Sequence, residues 1–185
     1  DCDFVNHAQG LGVNRPGFEP GRLNAAHGIF VVGCLFEDST NLHTFFRARY
    51  VALVGNTLRR AGNHGTYGAW MDGGVFRENR YTDNAPSRTC LRVSAAANRD
   101  DAFRYPSRNV SIRNNVFRGT HDGNQYTEYV VEIAPNTTTH PQSIEWVEFV
   151  GNRVEDGRTL LALGSCENVF VRDNEFLSPH DDGTY

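Results

Sequence analysis

Four short stretches hold the side chains best suited to proton transfer and anion binding. "AGNHGTYGAW" (61–70) carries His64, Tyr67 and Trp70, and "SRTCLRVS" (87–94) carries Arg88 and Arg92. "TEYVVEI" (127–133) carries Glu128 and Glu132, and "HTFFRA" (43–48) carries His43 and Arg47. Imidazole and phenol are proton-transfer groups, and a guanidinium grips a carboxylate through two parallel hydrogen bonds. Elimination from a uronic acid needs those parts. The carboxylate must be neutralised, by arginine or by Ca²⁺, and a base must reach the proton beside it. His64, Tyr67 and Arg92 are therefore the candidate catalytic groups. Arg47, Arg88, Glu132, His43 and Trp70 are the candidate ligand-binding groups, with the aromatic ring available to stack on a sugar face.

Hydrolysis fits less well. A glycosidase needs two carboxylates about 5–10 Å apart across the scissile bond. Glu128 and Glu132, four residues apart on one side of an extended segment, are about 13 Å apart by the rise of a strand. For metals, "THDGNQYTE" (120–128) offers the oxygen ligands Asp122, Asn124 and Glu128, a possible Ca²⁺ loop. It lacks the ligand spacing of an EF-hand loop.

The elements that must position these groups are announced by a repeat. "LVGNTL", "FRENRY", "IRNNVF", "FVGNRV" and "VRDNEF" align on Asn56, Asn79, Asn115, Asn152 and Asn174, and "DCDF" and "GCLF" place Cys2 and Cys34 in the same column. Successive anchors are 32, 22, 23, 36, 37 and 22 residues apart. A basic unit of 22 residues with insertions is the mark of a solenoid. The units alternate apolar and polar residues, are rich in Val, Ile and Phe, and are punctuated by Gly, Asn, Asp and Pro, so they are strands. Stacked coils set like residues above one another at about 4.8 Å. An Asn at a bend can then bond the local backbone and the Asn of the next coil, and the Phe or Leu two positions later forms an internal apolar ladder. The fold class is all-β, a parallel β-helix of about seven coils in a single domain, and right-handed by the resemblance given below.

Alternation also assigns faces. Leu91, Val93, Val131 and Ile133 are expected to point inward, leaving Arg88, Cys90, Arg92, Glu128, Val130 and Glu132 outside. By the same rule His43, Phe45 and Arg47 point outward, as do Tyr67 and Ala69, unless a glycine bulge exchanges Tyr67 with Trp70. The outward columns read Arg47, Ala69, Arg92, Glu132 and His43, Gly65, Arg88, Glu128. Interleaved arginines and carboxylates suit an acidic or hydroxyl-rich glycan. They equally suit the cross-strand pairs of a solvated sheet.

The repeats resemble those of the right-handed parallel β-helix proteins of the pectate-lyase-like superfamily. "EIAPNTTTHPQSIEWVEFVGNRV" and "LLALGSCENVFVRDNEF" are similar to the closing coils of secreted bacterial members. The resemblance implies a secreted or periplasmic protein whose function sits on an outward sheet face framed by inserted loops, here 6–27, 96–108, 119–127 and 135–145. It implies an extracellular protein acting on an acidic polysaccharide with lyase or epimerase-like chemistry, or a non-catalytic glycan-binding or structural segment such as an adhesin, fibre or spike, because the fold hosts both. The chain has no lysine and no dense Asp cluster, so it departs from the Lys/Arg sites and the polygalacturonase-like sites of such enzymes.

Bounds on partners follow from composition. A net charge of −4 and a pI near 6.0 exclude a polycation for nucleic acid. No apolar run approaches the roughly 18–20 residues that cross a bilayer. The four cysteines show no paired zinc spacing. Cys2 and Cys34, in one column of adjacent coils, are close enough for a disulfide or for a buried pair of small residues. Cys90 and Cys166 lie two coils apart. The repeat runs into both ends of the chain, so further coils or another chain are expected to cover them.

Overall fold

The computed structural model describes residues 3–5, 9–13, 26–85, 88–95, 107–122, 125–135 and 143–177. Among them there is no helix, and all but one short hairpin belong to three parallel sheets. Each coil contributes one strand to each sheet in turn, giving a right-handed parallel β-helix of about six coils and a seventh strand in the first sheet. The first sheet holds the three-residue strands, among them Leu35–Glu37, Thr57–Arg59, Arg80–Thr82, Val116–Arg118 and Arg153–Glu155. The second holds Gln9–Val13, Asn41–Phe46, His64–Ala69, Leu91–Ser94, Tyr129–Ile133 and Thr159–Leu163. The third holds Ala26–Val32, Ala48–Val54, Asp72–Arg77, Arg108–Arg113, Ile144–Val150 and Cys166–Arg172.

The repeated Asn sits at the bend from the third sheet into the first. Its predecessor is in the left-handed conformation in each described coil: Gly33, Gly55, Glu78, Asn114, Gly151 and Asp173 all have φ between 55° and 65°. That bend turns the Asn side chain inward, where Asn56, Asn79, Asn115 and Asn152 are 1% exposed. Asn115 shows how the buried amide is satisfied. Its Nδ2 donates to the Phe76 carbonyl at 2.8 Å and to Asn152 Oδ1 at 3.0 Å. Its Oδ1 accepts from the backbone N–H of Asn79 at 2.9 Å and from Asn79 Nδ2 at 3.0 Å. The same bonds link Asn56 to Asn79 and Asn152 to Asn174. Cys34 takes the Asn place one coil earlier, and its backbone N–H donates to Asn56 Oδ1 at 2.9 Å.

Two positions on, Phe36, Leu58, Tyr81, Phe117 and Val154 form the internal ladder, each fully buried. Tyr81 stacks on Phe117 with ring centroids 4.9 Å apart. Cys34 is disulfide-bonded; Cys2, its expected partner, lies outside the described residues, and Cys90 and Cys166 are free. In the last coil the column residues Leu163, Val171 and Phe176 are exposed.

An Asn in the middle of the ladder makes its bonds in full burial, whereas Asn174 at the end makes the same kinds of bond in a partly exposed setting, where water can replace them. Asn115→Ala strips partners from the Phe76 carbonyl and from both Asn79 donors, at about 1–3 kcal/mol for each buried group left unpaired. Urea unfolding is expected to show a loss of about 3 kcal/mol or more for Asn115→Ala and clearly less for the half-buried Asn174. Equal losses would show that the ladder is not a buried network.

Candidate functional site

Register in the second sheet decides which side chains meet. Thr44, Tyr67, Arg92, Glu132 and Ala162 occupy one outward row, and Phe46, Ala69 and Ser94 lie in the next. Leu91, Val93, Val131 and Ile133 are fully buried on the inner side, as alternation requires. Arg92 and Glu132 are therefore outward neighbours, with Arg92 Nε 3.3 Å from Glu132 Oε2. On the preceding coil the Arg92 guanidinium lies 5.7 Å from the centre of the Tyr67 ring. The Tyr67 ring in turn lies 5.4 Å from the His64 ring and 5.2 Å, edge-on, from Phe46. The three candidate catalytic groups thus form one cluster.

The cluster extends to the bend beyond the strands. Arg47 and Trp70 occupy the same bend position in successive coils, both with left-handed backbone, and the Arg47 guanidinium sits 4.9 Å over the Trp70 ring. Phe46 meets the Trp70 ring at 6.4 Å. Tyr67 and Trp70, both partly exposed, make an aromatic shelf edged by two guanidinium groups, and the buried Phe46 ring backs them from below.

Three expectations of facing are corrected. His43 and Phe45 do not point outward: both are fully buried, His43 in register with Thr66, Leu91 and Val131. Its Nδ1 lies 3.2 Å from Thr66 Oγ1, which also meets the Tyr81 hydroxyl, and its ring packs edge-on against Phe36. His43 is therefore a core residue and not a ligand-binding one on this face. Tyr67, rather than Ala69 or Arg47, shares the row of Arg92. Cys90 and Val130 are also buried: Cys90 precedes its strand, and Val130 lies within Tyr129–Ile133 next to the equally buried Val131, where strict alternation breaks down. Arg88 is exposed and precedes its strand as well.

The electrostatics follow from partial burial. Burial, then the positive charges of Arg92 and Arg88, push His64 down to about 4, so its imidazole is neutral at ordinary pH. Its Nδ1 is held by the Thr89 hydroxyl. Burial raises the Tyr67 phenol, against the opposing effects of Arg92 and Ser94. Burial raises Glu132 too, opposed by Arg92 and reinforced by Glu128. Perturbed titratable groups gathered on one outward face are a mark of functional sites.

For Ca²⁺, Asn124 and the side chain of Asp122 lie outside the described residues, and Glu128 is exposed. No group of three His, Cys, Asp or Glu side chains suited to a metal occurs among the described residues. Of the inserted loops, 14–25, 96–106 and 136–142 lie outside them as well.

Sequence reasoning passed over Phe46 and Thr89. Alternation cannot phase "LHTFF", which is apolar or small throughout, and nothing local marks Thr89 as the residue beside the His64 ring.

Comparison with protein-family models, with curated proteins and with solved structures finds no match. What can be said of function therefore rests on the site.

Two depressed histidines make stability depend on pH. The folded values, about 3 for His43 and about 4 for His64, lie below the ordinary 6.5. Below pH 6.5 the unfolded chain takes up protons that the folded one refuses, so stability falls as pH drops towards 4. The slope approaches roughly 1.4 kcal/mol per pH unit for each group. Urea midpoints measured from pH 7 to 4 should show this slope, and His43→Gln should flatten it. An unchanged slope in both His43→Gln and His64→Gln would refute the burial of these rings.

Proposed function

We propose that this protein is an extracellular carbohydrate-active β-helix, of the pectate-lyase-like kind its repeats resemble, that acts on an acidic polysaccharide by β-elimination or epimerisation. The observation that carries the reading is the contact of a neutral imidazole, a protonated phenol and a guanidinium on one outward face. His64 takes the proton beside the uronate carboxylate. Arg92 stabilises the negative charge that builds on that carboxylate. As the carbon–oxygen bond to the leaving sugar breaks and a carbon–carbon double bond forms, Tyr67 gives its proton to the departing oxygen. Exchange with water returns His64 and Tyr67 to their starting states. Return of a proton to the opposite face instead gives the epimer. Glu132 holds Arg92 against the sheet. Arg47 and the partly exposed Trp70 ring fit a second carboxylate and the apolar face of a neighbouring sugar.

One observation favours a second reading, a glycan-binding or structural solenoid without chemistry. Arg92 already has Glu132 as an ionic partner, an arrangement that a rigid binding platform also uses. In either case the exposed column residues Leu163, Val171 and Phe176 suit cover by further coils or another chain.

The readings separate on polygalacturonate, alginate and glucuronan. Elimination gives an unsaturated product whose ultraviolet absorbance grows with time, and epimerisation gives solvent deuterium incorporated beside the carboxylate. His64→Ala and Tyr67→Phe are each expected to lower kcat by about 100-fold or more, and Trp70→Ala chiefly to raise KM. Activity should fall as pH drops through about 4, where His64 protonates. Binding without either product supports the second reading, and neither binding nor product rejects both.

A further inference from the structure

The third sheet carries a second, separate arrangement of aromatic side chains. Each of its strands has a kink at which one residue is left out of the pairing while the register on either side is unchanged, and the residues there, stacked as a bulge column, are Gly28, Tyr50, Gly73, Asn109, Trp146 and Asn168. All six have positive φ, between 54° and 82°. That conformation selects Gly and Asn, which fill four of the six places, and disfavours bulky side chains. Tyr50 and Trp146 break the pattern without a gain in the core, being 67% and 53% exposed. Glycine at position 73 leaves room for the Tyr50 ring, since a Cβ there would come within 3.2 Å of Tyr50 Cδ1. Two strained and exposed rings point to a contact outside the folded chain.

We infer that this bulge column is a binding track for a linear, pyranose-based polysaccharide, distinct from the face of the second sheet. The register sets Tyr50 and Trp146 three coils apart on one line parallel to the axis, about 14 Å. Gly73 and Asn109 lie between them. The adjacent column offers Arg49, Asp72, Arg108 and Glu145, one polar group per coil and both signs of charge. Asn109 Nδ2 donates to Asp72 Oδ1 at 3.0 Å and Arg108 Nη2 to Asp72 Oδ2 at 2.8 Å, which fixes these groups along the track. A pyranose ring in an extended chain is close in length to the spacing of the coils, so a polymer lying along the axis meets a ring at each end and hydrogen-bonding groups between. The balanced charges match a neutral polymer, unlike the arginine-edged shelf of the second sheet. A protein partner would instead require a continuous apolar centre; Gly73 and Asn109 interrupt this column, and Ser111 and Glu148 interrupt the neighbouring one between the exposed Val75 and Phe170.

The chain has only two tryptophans, Trp70 and Trp146, so each face can report alone. In Trp70→Phe the emission comes from Trp146. Titration of that variant with cellohexaose, mannohexaose and xylohexaose is expected to give a saturable change in emission with at least one of them. Adding Tyr50→Ala should weaken that binding about tenfold. Tyr50→Gly should weaken it similarly without lowering the thermal midpoint, because the strained residue is relieved. No response from Trp146 to any of the three, or a response indifferent to position 50, overturns the proposal. Trp146→Phe reports the second sheet independently: a response there alone also overturns it. Silence there with a response from Trp146 supports the track whatever becomes of the catalytic reading.

Discussion

The hydrogen-bonded column of Asn side chains is the constraint on which the rest of the structure depends. The amides of Asn79, Asn115 and Asn152 each use the oxygen twice and the nitrogen twice, tying the backbone of one coil to the side chain of the next, while Asn56, beside Cys34, uses its oxygen once. An Asn buried to 1% exposure is tolerated because its amide is hydrogen-bonded on both atoms. The cost of breaking one is high, so neighbouring coils cannot slide past one another. Register matters here more than in most sheets, because a slip of one residue turns every side chain of a strand to the other face.

Register is what brings the site together. His64 and Tyr67 come from one coil, Arg92 from the next and Glu132 from the one after, across sequence gaps that include the long segment between Ser94 and Arg108. Insertions of that kind do not disturb the stack, since each coil returns to the same Asn position before the next begins. The bends add their own contribution. The left-handed residues Arg47 and Trp70 close the strands of the second sheet in successive coils, and that shared backbone geometry lays one guanidinium over the other ring.

Much of this was legible in the sequence, and the part that was not has a physical cause. The Asn spacing, the internal ladder of Phe36, Leu58, Tyr81 and Phe117, and the inward facing of Leu91, Val93, Val131 and Ile133 all follow from strict periodicity. Arg92 and Glu132 could be placed side by side because "LRVS" and "VVEI" alternate cleanly. "LHTFF" does not alternate, so the outward facing read there for His43 and Phe45 came out inverted, and only the pairing to Thr66 and Gly68 sets it. The close approach of His64 to Thr89 depends on a residue that precedes its strand, where alternation gives no facing, and that of Arg47 to Trp70 on bends set by left-handed residues that carry ordinary side chains. The same is true of Tyr50 and Trp146, which in the sequence look like unremarkable strand aromatics.

The claim that coil-to-coil register sets the chemistry of the second-sheet face is tested most directly by titrating the histidines by NMR in the native protein and in Arg92→Gln. The Arg92 charge reaches His64 only if the two coils stack as described. His64 is then expected to stay neutral down to about pH 4 and to shift upward in the variant while staying below 6.5, since burial is the larger cause of its depression. A His64 that titrates near 6.5 in the native protein, or that does not move in Arg92→Gln, would contradict the account.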